Sequence, residues 1–123
     1  MRKIHSDKAP KAIGPYSQAV LVNNSLYTSG QIALNTEGNI VGDNVTEQTE
    51  QVMQNLKAVL EEAGTNFENT IKTTCFLSDM KNFADFNEVY CKYFTSNPAR
   101  SCVAVRELPK QVLVEVEVIA LVK

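Results

Sequence analysis

Val112-Leu113-Val114-Glu115-Val116-Glu117-Val118-Ile119-Ala120-Leu121-Val122 alternates with a period of two. Successive side chains of a strand point to opposite faces, so Val112, Val114, Val116, Val118, Ala120 and Val122 share one face and Leu113, Glu115, Glu117, Ile119 and Leu121 the other. Two carboxylates therefore interrupt a second face that is otherwise apolar. A strand apolar on both sides is normally covered on both sides, which predicts that Glu115 and Glu117 are partly shielded from water. Shielded charge needs a partner or a chemical task. Upstream, Pro98-Ala99-Arg100-Ser101-Cys102-Val103 sets an arginine at the mouth of another strand, Ser101 to Val105, and Arg106 to Gln111 around Pro109 joins the two.

Moving outward, Ile71 to Leu77 is rich in strand formers, and Asp79 to Asn82 turns the chain into a helix. That helix carries Phe83, Phe86, Val89, Tyr90, Tyr93 and Phe94 on one side, a stripe that reads first as core packing. Thr46 to Ala63 is the clearest helix: Val52, Met53, Leu56, Val59, Leu60 and Ala63 form one broad apolar stripe. Asn44 or Thr46 suits its cap, and Gly64 suits the residue just past its end. Ala19 to Val22 and Ser25 to Ala33 read as strands joined at Asn23-Asn24. Gly30, within or at the end of the second, suggests a bulge or the close approach of another group to the backbone. Gly14-Pro15-Tyr16-Ser17 is a turn that delivers Tyr16 to a defined place. The expected order is β-β-α-β-α-β-β, an α+β fold in a single domain over residues 1–123. Two helices cover only one face of such a sheet. The other face, if equally apolar, predicts a homo-oligomer in which sheets pack together.

Composition narrows the function classes. Of 123 residues, 44% are hydrophobic and 21% charged, the balance of an ordinary globular domain. A formal net charge of -2 with scattered cations gives no basic stripe for a nucleic acid. Arg2 and Lys3 are followed by no apolar leader, and no segment has the length of a membrane span, so a cytoplasmic location is the default expectation. Cys75, Cys91 and Cys102 match no zinc or redox spacing and fit free thiols in a reducing compartment. His5 is the only histidine and sits near a terminus expected to be mobile, which argues against histidine-based metal or nucleophile chemistry.

The residues left for chemistry are Arg100, Cys102 and Glu115, with Tyr16, Ser29, Gly30 and Asn87 as contributors from elsewhere. A guanidinium at a strand mouth has the fork geometry that takes a carboxylate. Its alternatives are an exposed arginine or an internal salt bridge to Glu115 or Glu117. Glu115 on an apolar face orients a water or exchanges a proton near neutral pH, or it belongs to a structural ion pair. Cys102 has no base to generate its thiolate and reads as a small buried hydrophobe. Tyr16 is either a site residue or a half-buried aromatic with its hydroxyl in water. Asn87 either caps a pocket or faces solvent.

Pro98-Ala99-Arg100-Ser101-Cys102-Val103, Leu108-Pro109-Lys110 and Val114-Glu115-Val116-Glu117-Val118-Ile119-Ala120 closely resemble the signature of the reactive intermediate deaminase A (RidA) family, also called YjgF/YER057c/UK114. Ile13-Gly14-Pro15-Tyr16-Ser17-Gln18, Thr28-Ser29-Gly30-Gln31-Ile32 and Asn55-Leu56-Lys57-Ala58-Val59-Leu60 are similar to its other blocks, so nearly the whole chain is covered. The resemblance implies a chorismate-mutase-like mixed sheet with two helices on one face, assembled as a homotrimer with active sites in the clefts between subunits. It implies hydrolysis of 2-iminobutanoate and 2-iminopropanoate, released by pyridoxal-phosphate dehydratases, to 2-oxo acids and ammonia, with no metal or organic cofactor. Carried over, Arg100 clamps the substrate carboxylate and Glu115 holds the attacking water. The backbone around Cys102 and Ser29-Gly30 lines the site, and Tyr16 and Asn87 complete it. Many relatives have an aromatic residue where Asn97 stands, which suggests a different accommodation of the substrate's alkyl side. A second class of function stays open: a module that senses a small carboxylate or binds proteins in a chaperone-like way. A ribonuclease role, also attached to the family, is disfavoured by the acidic charge and single histidine.

Overall fold

The computed structural model describes residues 1–123, and all six of its strands belong to one sheet. In chain order the elements are β1 (Arg2–Ile4), β2 (Ala19–Val22), β3 (Ser25–Thr28), α1 (Val45–Glu62), β4 (Thr70–Leu77), α2 (Phe83–Tyr93), β5 (Ala99–Ala104) and β6 (Val114–Leu121). The strands lie in the order β1-β2-β3-β6-β4-β5. β4 and β5 are parallel, joined by α2 as the crossover such a pair requires, and the remaining neighbours are antiparallel.

The alternation in the last strand decides which face the helices take. Val114, Val116, Val118 and Ala120 are all at most 1% exposed and join Val52, Met53, Leu56, Val59 and Leu60 of α1 and Phe86, Val89 and Tyr90 of α2 in one core cluster. The opposite face, as expected, is not covered by this chain. Tyr27, the lateral partner of Ile119, is 48% exposed, and Val103 and Leu121 on the same face are 47% and 37% exposed. Helix α1 starts at Asn44, whose side chain accepts from Glu47 N at 2.9 Å, while Glu47 reaches back to Asp43 N. No helix of the structure is long and apolar enough to cross a membrane.

Four boundaries differ from the sequence reading by two residues or more. β5 starts at Ala99 rather than Ser101 and so takes Arg100 into the strand, paired with Thr73. The N-terminus is not loose: β1 pairs with β2, and Ile4 and Ser6 are 4% and 3% exposed. Three residues are too few to show a period, and an edge strand carrying Arg2 and Lys3 has no apolar run to betray it. The expected strand from Ser25 to Ala33 stops at Thr28, after which only the bridge Gln31↔Val116 continues the pairing. The last strand begins at Val114 rather than Val112, because Pro109–Gln111 forms a tight turn with Lys110 and Gln111 both in the left-handed region.

Candidate active site

The sheet register divides the candidate residues between two places. On β4 and β6, Cys75 faces Val116 and Phe76 faces Glu115; on β4 and β5, Thr73 faces Arg100, Cys75 faces Cys102 and Phe76 faces Val103. Lateral partners share a face. Arg100 and Cys102 therefore lie on the helix-covered side and Glu115 and Glu117 on the open side. The internal salt bridge that the sequence left as an alternative does not form: neither Arg100 nor either glutamate takes part in any ion pair.

Glu115 opens into a cavity of about 980 Å³ together with Tyr16, Ser29 and Gly30, with Lys11 and Lys110 also in its wall. Gly30 is read from the sequence as a point of close approach, and the approaching group is Glu115 itself. A Cβ at position 30 would lie 2.7 Å from Glu115 Cδ and 2.9 Å from its Cγ. The Gly30 N–H makes no hydrogen bond within the chain. Ser29 is already committed, its N–H to Gln18 O at 2.9 Å and its hydroxyl to Ser17 O at 2.6 Å. Those bonds clip the turn that carries Tyr16 onto the end of β3. Burial pushes the Glu115 carboxyl above its ordinary range, and the neighbouring Glu117 pushes it the same way.

Arg100 opens into a second cavity of about 280 Å³, lined also by Asn87, Tyr90, Cys91, Phe94 and Asn97. Its Nη1 donates to Asn87 Oδ1 at 2.7 Å, and its guanidinium carbon lies 4.7 Å from the centre of the Tyr90 ring and 5.4 Å from that of Phe83. The aromatic stripe of α2 is thus core on one flank and a seat for an arginine on the other. Asn97 holds φ 55, a left-handed backbone that asparagine tolerates far better than an aromatic residue. Cys102, two residues along β5 from Arg100, lines neither cavity. Burial raises its thiol pKa against the opposing pull of Arg100, which keeps it protonated rather than nucleophilic.

Two residues with no place in the sequence reading of the site support the first cavity. Gln18, 2% exposed, accepts from Ser6 N at 2.7 Å and donates to Ser6 O and Pro10 O, fastening the segment that carries Lys11 and Tyr16. Asn55 on α1, also 2% exposed, donates to Ile32 O at 3.0 Å and Leu34 O at 2.9 Å, fastening the segment after Gly30. The sequence signal for Asn55 was a polar residue beside the apolar stripe of a helix. No three side chains of metal-ligating type converge anywhere in the fold.

Against known families, residues 6–122 match the model described as Endoribonuclease L-PSP, the YjgF/RidA/UK114 family. The chain belongs to this family. A RutC family protein of Pyrococcus abyssi is 50% identical over 119 residues, covering 95% of this chain and 94% of the relative. Among solved structures of the family, yeast Mmf1 superposes with a TM-score of 0.96 at 46% identity, covering 99% and 98% of the two chains. Escherichia coli TdcF with bound serine superposes at 0.94 and 40% identity over the full length of both. The family's names span an endoribonuclease, a mitochondrial protein in yeast and a serine-bound bacterial protein.

Proposed function

We propose that this protein hydrolyses reactive 2-imino acids, 2-iminobutanoate and 2-iminopropanoate, to the 2-oxo acids and ammonia. The observation that carries the reading is the pair of unneutralised opposite charges: a seated guanidinium with no carboxylate partner, and a half-buried carboxyl packed close against Gly30. Arg100 takes the substrate carboxylate. Glu115 holds a water and accepts one of its protons as the oxygen bonds to C2. The electron pair of the C=N bond goes to nitrogen, which takes that proton back from Glu115. The tetrahedral carbinolamine then collapses: Glu115 takes the proton of the C2 hydroxyl and passes it to the amine as C2=O forms, the C–N bond breaks, and ammonia leaves. A carboxyl with a raised pKa suits both halves of this exchange. Positioning does the rest, because an imine already hydrolyses in water.

Residues 1–123 act as one domain in this reading. Arg100 and Glu115 lie on opposite faces, so a complete site needs a second copy of the chain, and a homotrimer with clefts between subunits supplies it. The open apolar face of the sheet supports such an assembly. The imines come from pyridoxal-phosphate dehydratases, and the site of action is the cytoplasm. Nucleic acid is no part of the activity. A second reading, a sensor that holds a small carboxylate without chemistry, is favoured by the serine-bound relative.

The test is a coupled threonine dehydratase assay in which semicarbazide traps the imine. The protein shortens the life of the imine, and Arg100→Ala removes a charge-assisted contact of about 2–5 kcal/mol. Arg100→Lys rescues little, since a point charge does not replace the fork. Saturable carboxylate binding with no turnover overturns the enzyme in favour of the sensor, and an Arg100→Ala variant as fast as wild type overturns both.

A further inference from the structure

An arginine that is to receive a carboxylate has to present one edge of its fork in a fixed plane, and a long side chain at the start of an edge strand does not do this unaided. Here the plane is set from both directions. Asn87 Oδ1 accepts one Nη1–H at 2.7 Å, and the Tyr90 ring lies 4.7 Å from the guanidinium carbon, with Phe83 more distant at 5.4 Å. Phe83, Asn87 and Tyr90 follow at spacings of four and three, so one face of α2 carries all three.

Tyr90 is itself buried and anchored. It is 6% exposed, and its hydroxyl lies 2.8 Å from Thr73 Oγ1. Thr73 is fully buried on β4 and is the lateral partner of Arg100 in the β4–β5 register. The ring is thereby pinned to the strand beside the arginine it supports, closing a triangle of Thr73, Tyr90 and Arg100. Burial raises the phenol pKa further, so the ring stays neutral.

We propose that Tyr90 is a positioning residue: its ring, held by packing against Phe86 and Phe94, fixes the plane of the Arg100 guanidinium so that the edge not held by Asn87 is preset for a carboxylate. The inference rests on the reading of Arg100 as a carboxylate clamp. It predicts that the ring, and not the hydroxyl, governs affinity, and that affinity changes more than turnover.

Calorimetric titration with 2-oxobutanoate and steady-state kinetics on the dehydratase-generated imine, with melting temperatures alongside, separate the cases. Tyr90→Leu weakens 2-oxobutanoate binding and raises KM by about 3- to 30-fold, the range of a cation–π contact, while kcat changes less than KM. Tyr90→Phe keeps both within about two-fold of wild type, although its melting temperature falls with the loss of the Thr73 hydrogen bond. Wild-type affinity in Tyr90→Leu, with Arg100→Ala deficient, overturns this inference alone; equal losses in the Phe and Leu variants overturn it too. Wild-type behaviour of Arg100→Ala overturns the clamp on which it stands. Should Tyr90→Leu fail to fold, the wild-type protein is read directly. Separate, slowly exchanging Nη proton resonances for Arg100 support a held plane, and a freely rotating guanidinium refutes it.

Discussion

Gly30→Ala tests the cavity where the geometry is tightest. Gly30 is not among the residues with a left-handed φ, so alanine fits its backbone. Restricting the unfolded chain works toward stability by about 0.4–1 kcal/mol. The entire penalty therefore falls on Glu115. The new Cβ would overlap Glu115 Oε2 most severely and lie 2.7 Å from its Cδ, and ordinary contact begins at 3.4 Å, so the carboxyl withdraws by more than about 0.7 Å. A misplacement near 1 Å at a reacting group costs on the order of 100-fold in rate. Gly30→Ala thus has kcat reduced by about 10- to 100-fold with a melting temperature close to wild type. KM is less affected, because the proposed carboxylate contact is elsewhere, at Arg100. Gly64→Ala is the opposite control: its φ of 85 strains alanine while nothing lies within 4 Å of the new Cβ, so stability falls and kcat holds. The imine-trapping assay and differential scanning calorimetry read both variants. A Gly30→Ala protein with wild-type kcat refutes the argument that Glu115 must sit against this backbone.

Glu115→Gln should raise the melting temperature more at pH 7 than at pH 4. A carboxyl whose pKa is higher folded than unfolded binds its proton more tightly in the native state, so its penalty is absent below the unfolded pKa and complete above the folded one; a difference independent of pH contradicts this. Asn55→Leu removes one hydrogen bond from each of the carbonyls of Ile32 and Leu34, which keep only Leu34 N–H and the long bond from Gln51 Nε2, and should cost about 1–3 kcal/mol in urea unfolding, with kcat falling because the segment beyond Gly30 loosens. Cys75, whose thiol burial pushes up to about 12, should resist iodoacetamide at pH 7.5 while the exposed Cys91 reacts first. Cys91→Ser should abolish the fast phase seen by mass spectrometry, and rapid labelling of Cys75 in folded protein refutes the assignment.

The parts of the fold that were legible in the sequence are those fixed by local period. The alternation from Val112 and the stripe from Val52 each state which side is buried, and the structure buries those sides. β1 was not legible, because three residues carry no period and its pairing is made with a strand about seventeen positions away. Gly30 announced a close approach, but the identity of the approaching group needed the Gln31↔Val116 bridge, which joins segments far apart in the chain. The second role of Tyr90 was hidden for another reason. A ring that packs a core and a ring that seats an arginine occupy the same helical stripe, and only the register of β5 against β4 tells them apart.

That register also accounts for the safest sequence-level reading, a salt bridge between Arg100 and Glu115, being absent. A site that needs a free cation and a free carboxylate is disabled most cheaply by the two neutralising each other, and in a low-dielectric pocket that attraction is strong. Placing them on adjacent positions of one face would invite it. Here β5 turns Arg100 toward α2 while β6 turns Glu115 toward the uncovered face, so the sheet itself stands between them in a single chain. Asn87 satisfies one donor of the arginine without neutralising its charge. Glu117, one pleat from Glu115, adds repulsion rather than relief and keeps the carboxyl ready to take a proton. Each half of the proposed site is thereby held charged, or chargeable, until substrate and a second chain bring the halves together. Activity should accordingly be lost on dilution below the dissociation constant of the assembly while the fold of each chain survives.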